Sequence, residues 1–279
     1  MRRVDPELTH RVASVGLWAA AVLALAVLAF IIGLVLVKGL PAISLHFLLA
    51  SPERMGRTGG IFPTIVGTVV LTAVALIVAT PLGVGTAVYL TEYARIGRLA
   101  SVIRFGAECL AGVPSIIFGL FGFIFFVITL QMGWSVLSGG LTLAVMVLPT
   151  IMRTAEEAIK AVPASYREVS YSMGATTWQT VTRVVVPAAL PGIVTGIVLA
   201  IGRSVGETAA TLFTAGASLR LPTSLLSPTR TMAVHFYILA REGLSETHAY
   251  GTAAVLVLLI LAINTVANWL MVRFRAKTQ

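Results

Sequence analysis

The stretch Ala161–Pro187, AVPASYREVSYSMGATTWQTVTRVVVP, is a polar loop that separates two long apolar runs of the chain. Ser165 and Glu168 have the S-x-x-E spacing of a capping box, in which each side chain satisfies a free amide at a helix start. Gly174 suits the end of that helix, where φ is positive. The pattern therefore predicts a short helix over Ser165–Met173, about 14 Å long at 1.5 Å per residue.

The composition on both sides of this loop is that of a membrane protein. Of the 279 residues, 57% are hydrophobic and 11% are charged, and the mean hydropathy is +0.95. An ordinary soluble domain has about 25% charged residues, so a soluble enzyme, a disordered chain, a collagen and a coiled coil are excluded. Since a spanning helix needs about 20 apolar residues, the expected fold is an all-α membrane protein with six transmembrane helices.

Runs without charged residues place these six spans along the chain. One run is too long for a single helix and contains a break rich in glycine and serine at Gln131–Gly140, so it is divided into two spans. The expected spans are Val12–Val37, Ile61–Thr91, two within Cys109–Met152, one that begins at Val184–Gly202 and continues through Arg203 and Glu207, and Ala249–Val272.

The distribution of lysine and arginine predicts the orientation of the spans. With the N-terminus inside, the inner segments hold 13 of the 20 basic residues and the outer segments hold 6, with Arg203 left in the membrane. The positive-inside rule therefore predicts that both termini are cytoplasmic. The same residues account for most of the net charge of +9, so membrane lipid is an expected partner and nucleic acid is not.

Several kinds of catalytic or cofactor site are not expected in this sequence. None of its lysines follows a glycine, so the G-x-x-x-x-G-K-[ST] loop that cradles phosphates in ATP-hydrolysing proteins is missing. The four histidines lack metal-ligand spacing and are expected at the surface or at interfaces. We therefore expect no catalytic residue, no metal site and no cofactor, and any ATP chemistry would belong to a partner.

Two charged side chains stand inside the fifth predicted span, in the segment GRSVGET at positions 202–208. Arg203 and Glu207 are four residues apart and would share one helix face. Charges at membrane depth are costly and usually face the bundle interior or a water-filled path. The two residues are either a structural ion pair or part of a substrate path in which the arginine fork binds a tetrahedral oxyanion. Ser204 and Thr208 add hydroxyl groups to the same segment.

The loop at 161–187 resembles the EAA loop of ABC importer permeases. That family has E-A-A, three residues, G, nine residues and I-x-L-P, and this chain has Glu168-Val169-Ser170, Gly174 and Val184-x-Val186-Pro187 at the same spacing. The resemblance implies a type I ABC importer permease fold and a short helix that docks into a groove on an ATPase subunit. It implies that Ser165, Glu168 and Gly174 are coupling residues and that the chain is a transporter subunit, not an enzyme.

Two further segments resemble the phosphate-specific members of that family. They are GRSVGET at 202–208 and AGVPSIIFGLFG at 111–122, and the continuation TAATLFTA at 208–215 is similar to the PstA type rather than the PstC type. The resemblance implies import of inorganic phosphate across the bacterial cytoplasmic membrane. Its implied partners are a PstC-type second permease, two PstB-type ATP-binding subunits and an extracytoplasmic PstS-type phosphate-binding protein. The implied pathway residues are Arg203, Glu207, Ser204 and Thr208, whereas the glycine spacing within 112–122 favours helix packing.

The expected organisation has three parts. Residues 1–60 form an N-terminal tail, the first helix and an outer loop; residues 61–273 form the permease domain with five helices and a coupling helix at about 165–173; residues 274–279 form a cytoplasmic tail. Alternative functions are a permease of the same family for another anion or small solute, a standalone secondary transporter and a membrane scaffold. A secondary transporter would be expected to show an inverted repeat with paired broken helices, and the scaffold is disfavoured by Arg203 and Glu207.

Overall fold

The computed structural model describes residues 6–94 and 97–275. Five helices in these ranges are long and apolar enough to cross a membrane, and a bent pair of helices makes a sixth crossing when it is counted as one span. The expectation of an all-α protein with six transmembrane helices is thus confirmed. Residues 1–5 of the predicted N-terminal segment at 1–60 and residues 276–279 of the predicted tail at 274–279 lie outside the described residues.

The first span, α1 (Pro6–Gly39), stands apart from the other helices. None of its most apolar window is buried within the chain. Its end contacts the last helix, α12 (Glu246–Arg275), where Lys38 Nζ lies 2.9 Å from Glu246 Oε1 and 4.7 Å from the centre of the Tyr250 ring. The exposed apolar surface of α1 must therefore be covered by lipid or by another chain.

A short connection of about twenty residues leads from α1 to the second span. The Ser44 hydroxyl caps its first helix by accepting a hydrogen bond from the Phe47 N–H at 3.1 Å. Two very short strands then pair antiparallel, with Pro52 opposite Gly59. The elements are a 3₁₀ turn at Leu40–Ala42, α2 (Leu45–Leu49), β1 (Pro52–Glu53), a 3₁₀ turn at Arg54–Gly56 and β2 (Thr58–Gly59).

The core is built from three long helices, which are α3 (Phe62–Val88), α6 (Val136–Lys160) and α9 (Val186–Val205). Glycines bring their backbones together, since a Cβ at Gly83 would lie 2.9 Å from Ile151 Cγ2 and one at Gly196 would lie 2.8 Å from Thr154 Cβ. Close approach through small residues is how helices pack in lipid, where no hydrophobic force drives them together. The main buried cluster includes Leu71, Ala75, Ala79, Phe118, Leu143, Met146, Val147, Ile151 and Ala200.

The third span is sharply bent. Its first part, α4 (Arg98–Gly112), and its second part, α5 (Ser115–Gly122) with a π-helical continuation at Phe123–Thr129, meet at 104°. Val113 is extended (ψ 130°) because the ring of Pro114 excludes the helical conformation of the residue before it. The span therefore starts before Cys109, at Arg98, and the stretch expected to run straight on from Cys109 is interrupted by this bend.

The remaining elements surround the core. A π-helical segment at Tyr89–Tyr93 extends α3, and another at Val181–Val185 joins α8 (Thr177–Thr180) to α9. Helix α9 ends at Val205, and a break at residues 206–208 separates it from the short helix α10 (Ala209–Thr214). The elements are α7 (Ala164–Ser172), α8 (Thr177–Thr180), α10 (Ala209–Thr214) and α11 (Met232–Arg241).

Candidate functional site

The fifth span ends two residues after Arg203. Gly206 follows the last helical residue, Val205, and its N–H still donates to the Gly202 carbonyl at 3.3 Å. Glu207 lies in the break between α9 and α10, so it is not on the helix that carries Arg203. The expectation that the two charges share one helix face is wrong, because the helix stops at the glycine between them.

Glu207 has a local role in this break. Its Oε1 accepts a hydrogen bond from the Ala210 N–H at 3.1 Å, so the carboxylate caps the first turn of α10. A negative charge at a helix N-terminus is favourable because free amides and the helix dipole point there. Thr208 contributes its carbonyl, which accepts from the Leu212 N–H at 3.0 Å, while its side chain makes no capping bond.

Arg203 is left unsatisfied by its own chain. The guanidinium is exposed, and no ion pair or hydrogen bond to it is found among residues 6–94 and 97–275. Ser204 beside it is buried, and its hydroxyl lacks a hydrogen-bond partner in the same part of the chain. The reading of Arg203 and Glu207 as a self-neutralising ion pair is therefore contradicted within the described residues.

The break is held in place by close packing between α10 and α5. A Cβ at Gly119 would lie 3.0 Å from Ala210 Cα and 3.2 Å from the Ala209 carbonyl oxygen. A Cβ at Gly122 would similarly collide with Thr142. The prediction that the glycines of this stretch serve packing is confirmed for these two positions, whereas Gly112 has no neighbour within 4 Å of a Cβ.

The short helix of the polar loop is present, but its start differs from the sequence prediction. Helix α7 begins at Ala164 with Pro163 as its N-cap, and no side chain makes a capping bond there. Ser165 is already the second helical residue, so its predicted capping box with Glu168 is wrong. Proline fixes φ near the helical value and thereby starts the helix one position earlier.

A capping box does occur eleven residues later, at the start of α8 (Thr177–Thr180). The Thr176 hydroxyl accepts from the Gln179 N–H at 3.3 Å, and the Gln179 side chain accepts from the Thr176 N–H at 2.9 Å. The predicted glycine stop of α7 is confirmed, since Gly174 has φ +80° and its N–H donates to the Tyr171 carbonyl at 2.9 Å. These two features turn the chain back toward α9.

One face of α7 is apolar and uncovered. Tyr166, Val169 and Met173, the residue after the helix, are between 52% and 83% exposed. Ser165 and Glu168 are also exposed. This face borders a groove of about 730 Å³, which is lined by Ser165, Tyr166, Val169, Ser170, Met173, Gly174, Ala175, Gln179, Arg183 and Val184.

The opposite face of α7 is fixed by Arg167, which the sequence reasoning missed. Its Nη2 lies 2.7 Å from Glu92 Oε1, and its Nε lies 3.2 Å from both oxygens of that carboxylate. The same guanidinium donates to the carbonyls of Val162 at 2.9 Å and Ile159 at 3.0 Å. The Ser170 and Thr180 hydroxyls are hydrogen-bonded at 2.8 Å and add a second buried contact. The sequence does mark Glu92, because this carboxylate directly follows an apolar run. It does not reveal the partner, since Arg167 is 75 residues away in the chain.

Further ion pairs lie at the end of the bundle that carries α7. Glu156 Oε1 is 2.9 Å from Arg104 Nε and 2.7 Å from Lys160 Nζ. Arg153 and Glu108 form a more exposed pair at 3.2 Å. These contacts join α4 to the end of α6, so the bent span is tied to the core at the same end as α7.

The opposite end of the bundle holds a buried arginine and histidine. Arg230 Nε donates to the Ala217 carbonyl at 3.0 Å, and its Nη1 lies 3.4 Å from His235 Nδ1. Burial, then the charge of Arg230 and the neighbouring His248, lowers the pKa of His235 to about 3. The expectation that the histidines lie at the surface or at interfaces is wrong for His235, which is fully buried in α11. Within the described residues no cluster of side chains could hold a metal ion.

Comparison with known protein families identifies the arrangement. The sequence pattern of the family described as "Binding-protein-dependent transport system inner membrane component" matches residues 79–279. The chain belongs to this family. It is therefore a permease component of a binding-protein-dependent transport system, and a multi-pass membrane protein.

Relatives of this permease cover most of its length. It is 33% identical over 267 residues to the Probable ABC transporter permease protein YqgI of Bacillus subtilis, covering 90% of both chains. It is 36% identical over 230 residues to the Phosphate transport system permease protein PstA 1 of Mycobacterium tuberculosis, covering 81% of this chain and 73% of the relative. PstA of Haemophilus influenzae is 31% identical, with 92% of each covered. The resemblance to PstA-type permeases is thus confirmed.

Solved structures show the same fold at low sequence identity. An inward-facing MetNI methionine ABC transporter matches with a TM-score of 0.63 at 21% identity, covering 77% of this permease and 94% of that chain. A bacterial alginate ABC transporter in complex with a periplasmic protein matches with a TM-score of 0.64 at 16% identity, covering 95% and 94%. The type I importer permease fold expected from the sequence is therefore confirmed.

Proposed function

We propose that this permease conducts inorganic phosphate across the bacterial cytoplasmic membrane. The observation that carries the proposal is Arg203, a cation within a spanning helix that has no ion-pair or hydrogen-bond partner among the described residues. An arginine fork matches the oxygens of a tetrahedral oxyanion, with which it forms two parallel hydrogen bonds. The relatives named as phosphate permeases give this anion its identity.

The residues around Arg203 complete the proposed path. Gly202 and Gly206 present no side chain, and a Cβ at Gly202 would have no neighbour within 4 Å. Ser204 supplies a hydroxyl without a hydrogen-bond partner among the described residues, and Thr208 lies in the break that follows α9. In this proposal Glu207 shapes the path by holding α10 rather than by pairing with Arg203.

ATP hydrolysis is proposed to come from two PstB-type subunits that contact α7. The exposed apolar face of α7 and the adjacent groove support a docked protein, because such a patch is costly in water. A PstC-type second permease and a PstS-type binding protein complete the proposed assembly. Both termini and α7 are proposed to be cytoplasmic, and residues 61–273 to form the permease domain with 1–60 and 274–279 outside it.

Phosphate transport is tested with the complete complex in proteoliposomes. The permease is co-expressed with its proposed partners, and uptake of labelled phosphate is measured with ATP present. We expect uptake that depends on the binding protein and that excess sulfate does not compete away. Uptake of another solute with no uptake of phosphate would contradict the proposed substrate and favour the same-family alternative.

Docking is tested by two variants on the exposed side of α7. Glu168→Ala and Gly174→Asp should reduce co-purification of the ATPase, since both positions are exposed and Gly174 needs a positive φ. Arg153→Gln, at the same end of the bundle but outside α7, is the matched control. Normal co-purification and normal uptake in both variants would show that α7 is only a connector.

Orientation is tested by chemical labelling of intact cells. The only cysteine, Cys109, is replaced by serine and a cysteine is placed at the exposed position 165. A membrane-impermeant maleimide should react only after the cells are permeabilised. Labelling from outside intact cells would reverse the proposed topology.

A further inference from the structure

We infer that the buried ion pair between Arg167 and Glu92 carries the movement of α7 to the core helix α3, and that both are positioning residues for coupled transport. The inference rests on the proposed docking of α7 on an ATPase. It assigns the path by which a movement at that surface reaches a helix to which α7 is not directly connected along the chain.

The connectivity of α7 shows why a noncovalent link is needed. Three residues join α7 to the end of α6, and four residues join it to α8, which continues into α9. These two core helices must follow α7 because short peptide connections hold them. Glu92, in the π-helical extension of α3, lies 75 residues before Arg167 in the chain. The third core helix therefore depends on side-chain contacts.

The geometry of the Arg167–Glu92 pair is suited to pass a displacement of α7 on to α3. Three N–O distances of 2.7, 3.2 and 3.2 Å hold the carboxylate against two guanidinium nitrogens. The side chains of Arg167 and Glu92 are only 12% and 2% exposed. Because Arg167 also binds the Val162 and Ile159 carbonyls, one rigid planar group joins α3, the end of α6 and α7.

A purely stabilising role does not account for this choice of residues. Apolar side chains of similar volume usually stabilise a buried site as well as an ion pair does. The fork instead fixes direction and distance between three elements, which a lysine ammonium cannot reproduce. The nearby pair of Arg153 and Glu108 lacks these features, since it is exposed and joins α6 to α4. It supplies a matched control.

The test compares phosphate imported with ATP hydrolysed in proteoliposomes that contain the whole complex. For Arg167→Lys and Glu92→Gln we expect normal assembly and hydrolysis stimulated by the binding protein, but about tenfold less import per ATP, a typical size for coupling between sites. Arg153→Gln should keep the wild-type ratio. If import and hydrolysis fall together in the two variants, Arg167 supports docking and the inference is wrong.

A double variant separates transmission from stability. Glu92→Gln with Arg167→Gln removes both buried charges, so the thermal stability that Glu92→Gln alone loses should recover while assembly stays normal. The import-to-hydrolysis ratio should stay about tenfold low, since the fork is still missing. Recovery of the wild-type ratio together with stability would show that the pair is structural only.

A second measurement does not depend on the transported solute. Amide hydrogen exchange is compared between nucleotide-free and ATP-bound complexes at residues 86–93 and at 164–172. In the wild type both segments should change together, and in Arg167→Lys the change at 86–93 should be lost. If 86–93 still responds in this variant, the inference fails even when phosphate import is shown; if the wild type imports no phosphate, the exchange result still decides it.

Discussion

Two arginines of this permease lie in opposite situations. Arg167 is buried at one end of the bundle, and its guanidinium contacts a carboxylate and two backbone carbonyls. Arg203 is exposed on a spanning helix, and the described chain offers it no partner. One arginine therefore holds elements of the fold together, whereas the other is the residue that we propose binds the transported anion.

The cost of losing each side chain should therefore appear in different measurements. Removing Arg167 leaves Glu92 buried without a counter-charge, which is an effect on the folded chain itself. Removing Arg203 breaks no ion pair or hydrogen bond among the described residues, so in the proposed function its effect falls on anion binding.

The largest effect is expected from Arg167→Met in unfolding. Removing one partner of a buried ion pair typically costs about 3–5 kcal/mol, whereas Arg203→Met should leave the free energy of unfolding nearly unchanged. Thermal and denaturant unfolding of the purified permease in detergent, followed by circular dichroism, measures both. Equal losses in the two variants would remove the distinction between these arginines.

Arg203→Gln is expected to cut phosphate uptake by about a hundredfold, because truncating one partner of a desolvated charge contact costs about 2–5 kcal/mol. Arg203→Lys should also be impaired, since an ammonium lacks the fork. Assembly should be normal in both. Labelled phosphate uptake in proteoliposomes is the measurement, with co-purification of all subunits as its control.

Replacing Arg203 and Glu207 together by glutamine sharpens this result. Because Glu207 caps α10 and forms no ion pair with Arg203, the double variant should be as inactive as Arg203→Gln. Uptake at the wild-type level in the double variant would mean that the two charges only neutralise each other.

The buried histidine at the other end of the bundle gives a third, intermediate case. His235 is neutral when folded because burial and the charge of Arg230 lower its pKa to about 3. The unfolded chain takes up a proton below about pH 6.5, so stability falls as the pH decreases from 6.5 toward 3. From pH 7 to pH 5 we expect a loss of roughly 2 kcal/mol.

His235→Phe should abolish this component of the pH dependence, and His46→Gln, at an exposed histidine, should retain it. Unfolding in detergent at both pH values provides the comparison. The ionisable side chains that face His235 are Arg230 and His248, and Glu242 in turn faces Arg230. An unchanged slope in His235→Phe would place the titrating group elsewhere.

The smallest effect concerns the cap of α10. Glu207→Ala should cost about 1 kcal/mol, since an N-cap side chain typically contributes 0.5–2 kcal/mol. Glu207→Gln should cost less, because its amide oxygen can still accept from the Ala210 N–H. If Glu207→Gln is as damaging to uptake as Arg203→Gln while unfolding is unchanged, Glu207 acts through its charge in the path and not as a cap.

More of the fold than of the candidate site could be predicted from the sequence. Charge-free runs identify spans because lipid cannot satisfy a charge or an open backbone, and Gly174 identifies a helix end because few other residues adopt a positive φ. The pairing of Arg203 with Glu207 was wrong because a four-residue spacing assumes an unbroken helix, and Gly206 ends it. The Arg167–Glu92 pair stayed hidden because its two residues meet only through tertiary packing.

The three π-helical segments at 89–93, 123–129 and 181–185 have a consequence for insertions and deletions. A π-turn holds one residue more than an α-turn, so deleting one residue there restores a regular helix and preserves the faces on both sides. Deleting one residue within α9 instead turns everything after it by about 100°. The segment at 181–185 is thus where the chain can change length while Arg203 keeps its direction.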